Sequence, residues 1–127
     1  MTFKSPTLLM ASVAFSLLTA CASVAVGPVK VSDGMLVGAN SMTLYTFDKD
    51  AAGSGKSVCN GPCAANWPPL MAAPGAAASG DLSIITRDDG SLQWAYKGKP
   101  LYTWIKDVKP GDRTGDGWNK VWGLARP

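Results

Sequence analysis

The segment Leu44-Tyr45-Thr46-Phe47-Asp48-Lys49-Asp50 returns 57 residues later as Leu101-Tyr102-Thr103-Trp104-Ile105-Lys106-Asp107. The two heptapeptides are identical at Leu, Tyr, Thr, Lys and Asp, and both carry an aromatic residue at the fourth position. A Gly-rich loop follows each heptapeptide and leads to a Trp that precedes a Leu. This repeat predicts two copies of one strand, loop and Trp unit, at about 35–70 and 92–125, whose aromatic faces bury each other.

Alternating apolar and polar residues around the second heptapeptide predict an antiparallel meander. Leu82–Arg87 and Leu92–Tyr96 flank the turn Asp88-Asp89-Gly90, which is typical of a hairpin. The turn Lys97–Pro100 then leads into Leu101–Ile105, which we expect to form the third strand.

Strand patterns also occur near both ends of the repeat region. Met35–Val37 and Thr43–Phe47 are expected to form a second hairpin, and Lys120–Leu124 a final strand. Cys63–Trp67 predicts one helical turn. With 14 Gly and 9 Pro in 127 residues, the chain requires many turns. We therefore predict an all-β, loop-rich domain of small antiparallel sheets, made of two pseudo-repeats with at most one short helical turn.

The N-terminal region has the pattern of an export signal. Leu8–Leu18 is an apolar run that is too short to span a bilayer as a stable helix. It ends in Leu18-Thr19-Ala20-Cys21, which resembles the lipobox of bacterial lipoproteins. The resemblance implies a signal peptide at 1–20, a single mature domain at 21–127 and a lipid on Cys21. Ordinary cleavage after Ala22 or Ala25 is the alternative.

A lipid on Cys21 would make the membrane a partner of the domain. Several acyl chains, at about 0.8 kcal/mol per buried methylene, give durable anchoring. Ala22 follows the cysteine, where many inner-membrane lipoproteins carry Asp. We therefore expect an exported protein on the outer membrane, facing the periplasm or the cell surface.

Composition excludes several classes of function. The chain has no His, which rules out His-based triads and His-ligated zinc or haem. Its 12 Lys and Arg residues are scattered, and the net charge is only +3, which argues against a nucleic-acid surface. We expect no enzymatic activity, no metal and no cofactor.

The motif residues have a structural and a functional interpretation. Structurally, each strand buries an aromatic pair, and the following Asp accepts backbone N–H bonds that close its loop. Functionally, the Tyr and Asp residues of the two motif copies would line the two sides of a binding site for a sugar, a small cation or another envelope component. Catalysis by an Asp pair is a third interpretation, for which no partner base is evident. The residues concerned are Tyr45, Phe47, Asp50, Tyr102, Trp104 and Asp107.

Cys59 and Cys63 lie four positions apart in an exported chain, where oxidation is expected. The turn Gly61-Pro62 between them can bring their Cα atoms within disulfide range, and we predict that bond. The alternative is a periplasmic copper-handling or redox accessory protein in which the reduced cysteines bind Cu(I) with thioether ligands. The thioethers would come from Met35, Met42 or Met71.

The loop Lys109–Gly117 contains two Asp residues in a Gly-rich setting, which raises the question of calcium. It lacks the Asp/Asn spacing and the final Glu of an EF-hand loop, and Arg113 lies within it. Asx-turns explain the loop better. Trp118, just after it, is the aromatic residue that we expect to be exposed.

The chain resembles the bacterial secreted-repeat lipoproteins, which are defined by a Tyr-x-aromatic-x-x-Asp motif. Both heptapeptides fit that motif, and Cys59–Leu70 is similar to the paired-Cys and Trp-Pro-Pro element that follows the first copy. Gly115–Gly117 with Val121-Trp122 is similar to the closing element. The resemblance implies export and tandem copies, but no reaction or ligand. It favours a membrane-anchored envelope lipoprotein that acts as a non-enzymatic binding or structural module, with an envelope protein or small molecule as partner.

Overall fold

A computed structural model describes residues 2–3 and 27–127. The predicted lipidation site Cys21 and most of the predicted signal peptide lie outside the described residues. Within them, no helix has the length and apolar character needed to cross a membrane. The prediction of small antiparallel sheets with one short α-helix is confirmed. The elements are β1 (Val29–Ser32), β2 (Met35–Gly38), β3 (Tyr45–Phe47), α1 (Pro62–Asn66), β4 (Leu82–Thr86), β5 (Leu92–Tyr96), β6 (Lys99–Pro100), a 3₁₀ turn (Trp118–Lys120) and β7 (Trp122–Leu124).

The strands pair as β1–β2, β3–β7 and β4–β5–β6, and every pair is antiparallel. The hairpin β4–β5 confirms the sequence prediction, with Leu82 opposite Tyr96 and Thr86 opposite Leu92. Gly90 closes its turn with a positive φ of 85° and donates its N–H to the Arg87 carbonyl. Glycine adopts this conformation without the steric cost of a Cβ.

The predicted third strand of the meander is wrong in extent. β6 has only two residues, and Leu101 makes the last bond to β5 through the Trp94 carbonyl. The chain then changes partner, because the N–H of Tyr102 bonds to the carbonyl of Tyr45 instead. Pro100 helps to keep this ladder short, since proline has no N–H to donate.

The predicted hairpin between Met35–Val37 and Thr43–Phe47 is present but short. An antiparallel bridge joins Val37 to Thr43, and the N–H groups of Gly38 and Leu44 bond to the carbonyls of Met42 and Leu36. β2 pairs along its full length with β1, and Tyr45–Phe47 pairs with β7. The turn between β1 and β2 is Asp33-Gly34, where both residues have positive φ. Asp-Gly is a strong signal for a two-residue hairpin turn. The hairpin β1–β2 was not predicted, although this signal for it is present in the sequence.

The two copies exchange their final segments. The reciprocal bonds between the N–H and carbonyl groups of Tyr45 and Tyr102, 2.8 and 3.0 Å, join the motif strands. β3 of the first copy pairs with β7, which ends the second copy. Correspondingly, the N–H of Thr103 bonds to the carbonyl of Pro68, which lies in the final segment of the first copy. Each motif strand therefore completes its hydrogen bonding with the other copy.

The same exchange recurs in two equivalent rings of backbone hydrogen bonds. In the first ring, the N–H to carbonyl bonds run Leu36 to Ala125, Ala125 to Leu44 and Leu44 to Leu36. In the second they run Trp94 to Leu70, Leu70 to Leu101 and Leu101 to Trp94. Each ring takes two members from one copy and one from the other. The copies are thus related by an approximate two-fold symmetry of connectivity, and each of these rings requires residues from both copies.

Candidate functional site

Both motif copies meet in one buried cluster, which we call the aromatic core. Phe47, Trp122, Trp67 and Trp104 stack in that order, with centroid separations of 4.3, 3.9 and 4.0 Å. Stacked aromatic rings with such spacing contribute beyond their buried area. The aromatic core comprises Tyr45, Phe47, Cys59, Trp67, Tyr102, Trp104 and Trp122.

The two tyrosines of the motif lie against the middle of the stack. The Tyr45 ring meets Trp67 edge to face at 5.3 Å, and the Tyr102 ring meets Trp122 in the same manner at 5.0 Å. Both tyrosines are 0% exposed. The arrangement follows the approximate symmetry, because each tyrosine contacts the Trp of its own copy.

The tyrosine hydroxyls cross between the copies. Tyr45 Oη donates to Oδ2 of Asp107 at 2.6 Å, and Tyr102 Oη donates to Oδ2 of Asp50. Asp50 is 1% exposed and Asp107 is 8% exposed, so both carboxylates lie in the interior. The sequence pattern placed each Asp only beside its own loop, and the crossed pairing was not predicted.

The second oxygen of each carboxylate accepts bonds from the loop that follows its motif. Oδ1 of Asp50 accepts from the backbone N–H of Val58 at 2.8 Å. Oδ1 of Asp107 accepts from the N–H and the hydroxyl of Thr114 at 3.0 and 2.6 Å. Each Asp therefore has two functions, since it closes its own loop and joins that loop to the tyrosine of the other copy.

Burial sets the protonation of the two tyrosines. Desolvation, followed by the hydrogen bond to Asp107, raises the pKa of Tyr45 well above its ordinary value of 10.0. Desolvation and the hydrogen bond to Asp50 likewise raise the pKa of Tyr102. Both phenols therefore remain protonated and act as donors, while the carboxylates act as acceptors.

A buried arginine lies behind the Tyr102 and Asp50 pair. Nη1 of Arg87, a residue that is 5% exposed, donates to Oγ of Ser57 at 3.0 Å and to Oε1 of Gln93 at 2.8 Å. Ser57 Oγ also lies 2.6 Å from Tyr102 Oη. The guanidinium is thus linked to the Asp50 carboxylate through two hydroxyls, which offsets the cost of burying that charge.

This network was not predicted from the sequence, although one signal for it is present there. Ser57 and Thr114 each follow their motif Asp by seven residues, so the repeat extends to hydroxyl side chains on equivalent loops. Arg87 has no such signal, because a charged residue at the end of a strand ordinarily marks a solvated turn.

The predicted disulfide is present between Cys59 and Cys63, whose Cα atoms lie 5.2 Å apart. Cys59 is fully buried in the aromatic core, and Cys63 packs against it from α1. The N–H of Trp67 bonds to the carbonyl of Cys63 at 2.8 Å. The bond therefore fixes the turn from which Trp67 enters the stack.

The remaining candidates lie at the surface. Trp118 is 48% exposed, as expected, and its ring lies 5.1 Å from that of Trp104. In the loop first considered for calcium, Asp112 accepts the N–H groups of Val108 and Lys109 and pairs with the Lys109 ammonium. Across residues 27–127 there is no detected cavity and no cluster of three or more side chains suited to hold a metal.

The hydrogen bonds from the Tyr of each motif to the Asp of the other define a class of protein built from two interlocked copies of one β-unit. Residues 27–71 and 83–126 match a lipoprotein family described as a secreted repeat of unknown function. These two matches span most of the chain, and the protein belongs to this family with two copies of the repeat. Membership implies export. Neither a curated protein nor a solved structure matches the chain.

Proposed function

We propose that the protein is an envelope lipoprotein, held on a membrane by lipid on Cys21, whose domain is a non-enzymatic binding or structural module. The family supports export, and Leu18-Thr19-Ala20-Cys21 supports lipid attachment. Ala22 after the cysteine favours the outer membrane, facing the periplasm or the cell surface.

One observation carries the non-enzymatic part of the proposal. The motif tyrosines and aspartates, the most distinctive polar groups of the family pattern, are buried and bonded to each other across the two copies. Groups that hold two copies together are not available to a substrate at the surface. Partner contacts of the module would then come from its loops and its exposed strands.

Alanine variants test whether the motif is structural. Tyr45→Ala and Tyr102→Ala each remove an aromatic ring from the core, at a typical cost of about 3–5 kcal/mol. We expect both variants to melt far below the wild type and to behave alike. Tyr96→Ala is the control, since Tyr96 is partly buried and lies outside the aromatic core. Wild-type stability of both motif variants would overturn the structural interpretation and favour a ligand site.

Fractionation of cells tests the anchor. The wild type should sediment with membranes and its N-terminal peptide should carry acyl chains by mass spectrometry, whereas Cys21→Ser should be released. Cleavage after Ala22 or Ala25 predicts no difference between the two proteins. That result would contradict lipid attachment.

The alternative function, copper handling or redox assistance, depends on the pair Cys59 and Cys63. Reduction of their bond would give two soft thiol ligands on one turn, with Cα atoms 5.2 Å apart. Titration of the native protein separates the proposals. We expect no reactive thiol in the purified protein, whereas free thiols and stoichiometric Cu(I) binding would favour the alternative.

A further inference from the structure

We propose that the aromatic core conducts oxidising equivalents from Trp118 at the surface to Tyr102 and Tyr45, which hold them as neutral tyrosyl radicals. The substrate class is one-electron oxidants, in particular oxygen-centred radicals that reach the cell envelope. This activity goes beyond the proposed structural role of the motif, and it does not depend on a binding partner.

The route is a continuous series of ring contacts. From Trp118 the centroid separations are 5.1 Å to Trp104, 4.0 Å from Trp104 to Trp67, and 3.9 Å from Trp67 to Trp122. The tyrosines branch from the last two rings, with Tyr45 at 5.3 Å from Trp67 and Tyr102 at 5.0 Å from Trp122. Indole and phenol are the most easily oxidised aromatic side chains, so an electron can pass between neighbours in short steps.

Access to the route is confined to one end. Trp118 is the exposed member of the series, while Trp67, Trp104 and Trp122 are buried. At the opposite end the stack terminates in Phe47, the residue equivalent to Trp104 in the other copy. Because phenylalanine is much harder to oxidise than tryptophan, the electron vacancy created by the oxidant does not leave through that end. The single aromatic difference between the heptapeptides therefore gives the route a direction.

The tyrosines differ from Trp104 in having a proton acceptor. Nε1 of Trp104 is buried without a hydrogen-bond partner, so its radical cation has no group to which it can give its proton. Tyr45 and Tyr102 each point their hydroxyl at a carboxylate. Loss of an electron from either phenol can therefore be accompanied by transfer of its proton to Asp107 or Asp50, and the neutral radical is trapped there.

The step balances in atoms and charge. A peroxyl radical takes one electron from Trp118 and one proton from water, giving a hydroperoxide and a hydroxide ion. Electrons move outward along the stack to refill Trp118, and the final donor is Tyr102 or Tyr45. Its O–H bond breaks, the proton binds the neighbouring Asp carboxylate, and a tyrosyl radical remains beside a neutral carboxylic acid. A thiol or quinol that donates one electron returns the pair to its resting state.

Flash photolysis of the full chain in detergent tests the relay, with photogenerated ruthenium(III) tris-bipyridine as the oxidant. All proteins carry Tyr96→Phe, which removes the tyrosine outside the aromatic core. We expect a tyrosyl radical by transient absorption and electron paramagnetic resonance. Trp118→Phe should lower its yield several-fold, whereas Trp94→Phe, which removes an indole of the second core cluster, should not.

A second variant locates the radical. Tyr45→Phe combined with Tyr102→Phe keeps both rings, and we expect its radical on tryptophan instead. An undiminished tyrosyl yield in Trp118→Phe would overturn the proposal, and so would the absence of any tyrosyl radical in the parent protein. Near-ultraviolet circular dichroism of each variant establishes that the stack is intact before photolysis.

Discussion

The Tyr45 hydroxyl donates a 2.6 Å hydrogen bond to the carboxylate of Asp107, which lies 62 positions further along the chain. Its counterpart joins Tyr102 to Asp50 in the reverse direction. The Tyr and Asp of one motif are therefore never partners, although they stand at a fixed spacing. The spacing instead places both groups so that the approximate two-fold symmetry brings the Tyr of each copy to the Asp of the other. One sequence pattern, used twice, therefore supplies both the donors and the acceptors.

A double-mutant cycle measures this crossed pairing. Tyr45→Phe and Asp107→Asn should show a coupling of about 0.5–3 kcal/mol in unfolding free energy, because the first removes the hydroxyl donor of this hydrogen bond and the second replaces its charged acceptor by a neutral amide. Tyr45→Phe with Asp50→Asn is the matched control within one motif, and we expect additivity within about 0.5 kcal/mol. Stronger coupling in the control pair than in the crossed pair would contradict the arrangement.

Gly115 limits the packing of the stack. A Cβ at this position would lie 2.7 Å from Cη2 of Trp67 and 3.1 Å from Cγ of Trp104. Trp67 cannot yield, since it is held between two rings. We expect Gly115→Ala to cost about 1–3 kcal/mol through overpacking, measured by denaturant unfolding.

Gly123 in β7 provides the control for that substitution. A Cβ there meets no atom within 4 Å, and its φ is not positive. Gly123→Ala should be neutral or stabilising by about 0.4–1 kcal/mol, because it restricts the unfolded chain. Equal losses in the two variants would show that the effect of Gly115 is not caused by the Trp contacts.

Local signals explain which parts of the fold were predictable. The hairpin β4–β5 follows from alternation on both sides of Asp88-Asp89-Gly90, and all of its information lies within 15 consecutive residues. The disulfide follows from a spacing of four residues around Gly61-Pro62. Each of these features depends on neighbours in sequence, which a pattern can reveal.

The exchange between the copies was not predictable in the same way. A motif strand can bury its aromatic face by pairing with its own copy or with the other copy, and the sequence pattern is the same in both cases. The difference lies in loop geometry, such as the change of partner from Trp94 to Tyr45 after Leu101. Arg87 was missed for a related reason, since three of its four acceptors belong to the segment Ser57–Asn60, 27 to 30 positions away in the sequence.

Removal of the disulfide should have a local effect. Its ring is short, so replacement of Cys59 and Cys63 by Ser should cost no more than about 2 kcal/mol in a denaturant titration. We expect hydrogen exchange to rise in α1 and around Trp67, where the bond fixes the chain, and to change little in the hairpin β4–β5. Loss of all folded structure in the double variant would show that the bond has a global role.

Alkaline unfolding tests the two buried phenols together. Their pKa values are raised in the folded state, so their contribution to stability is complete below the ordinary tyrosine pKa of 10.0 and is lost as pH rises above it. Over that range each tyrosine that is deprotonated only on unfolding lowers the free energy of unfolding by about 1.4 kcal/mol per pH unit. The variant with Tyr45→Phe and Tyr102→Phe should therefore lose stability less steeply than the wild type between about pH 9 and about pH 11.

Tyr96→Phe, which removes a hydroxyl outside the crossed pairs, is the control and should follow the wild type. Parallel curves for the wild type and the double variant would show that the Tyr45 and Tyr102 hydroxyls are not buried beside Asp107 and Asp50 in solution.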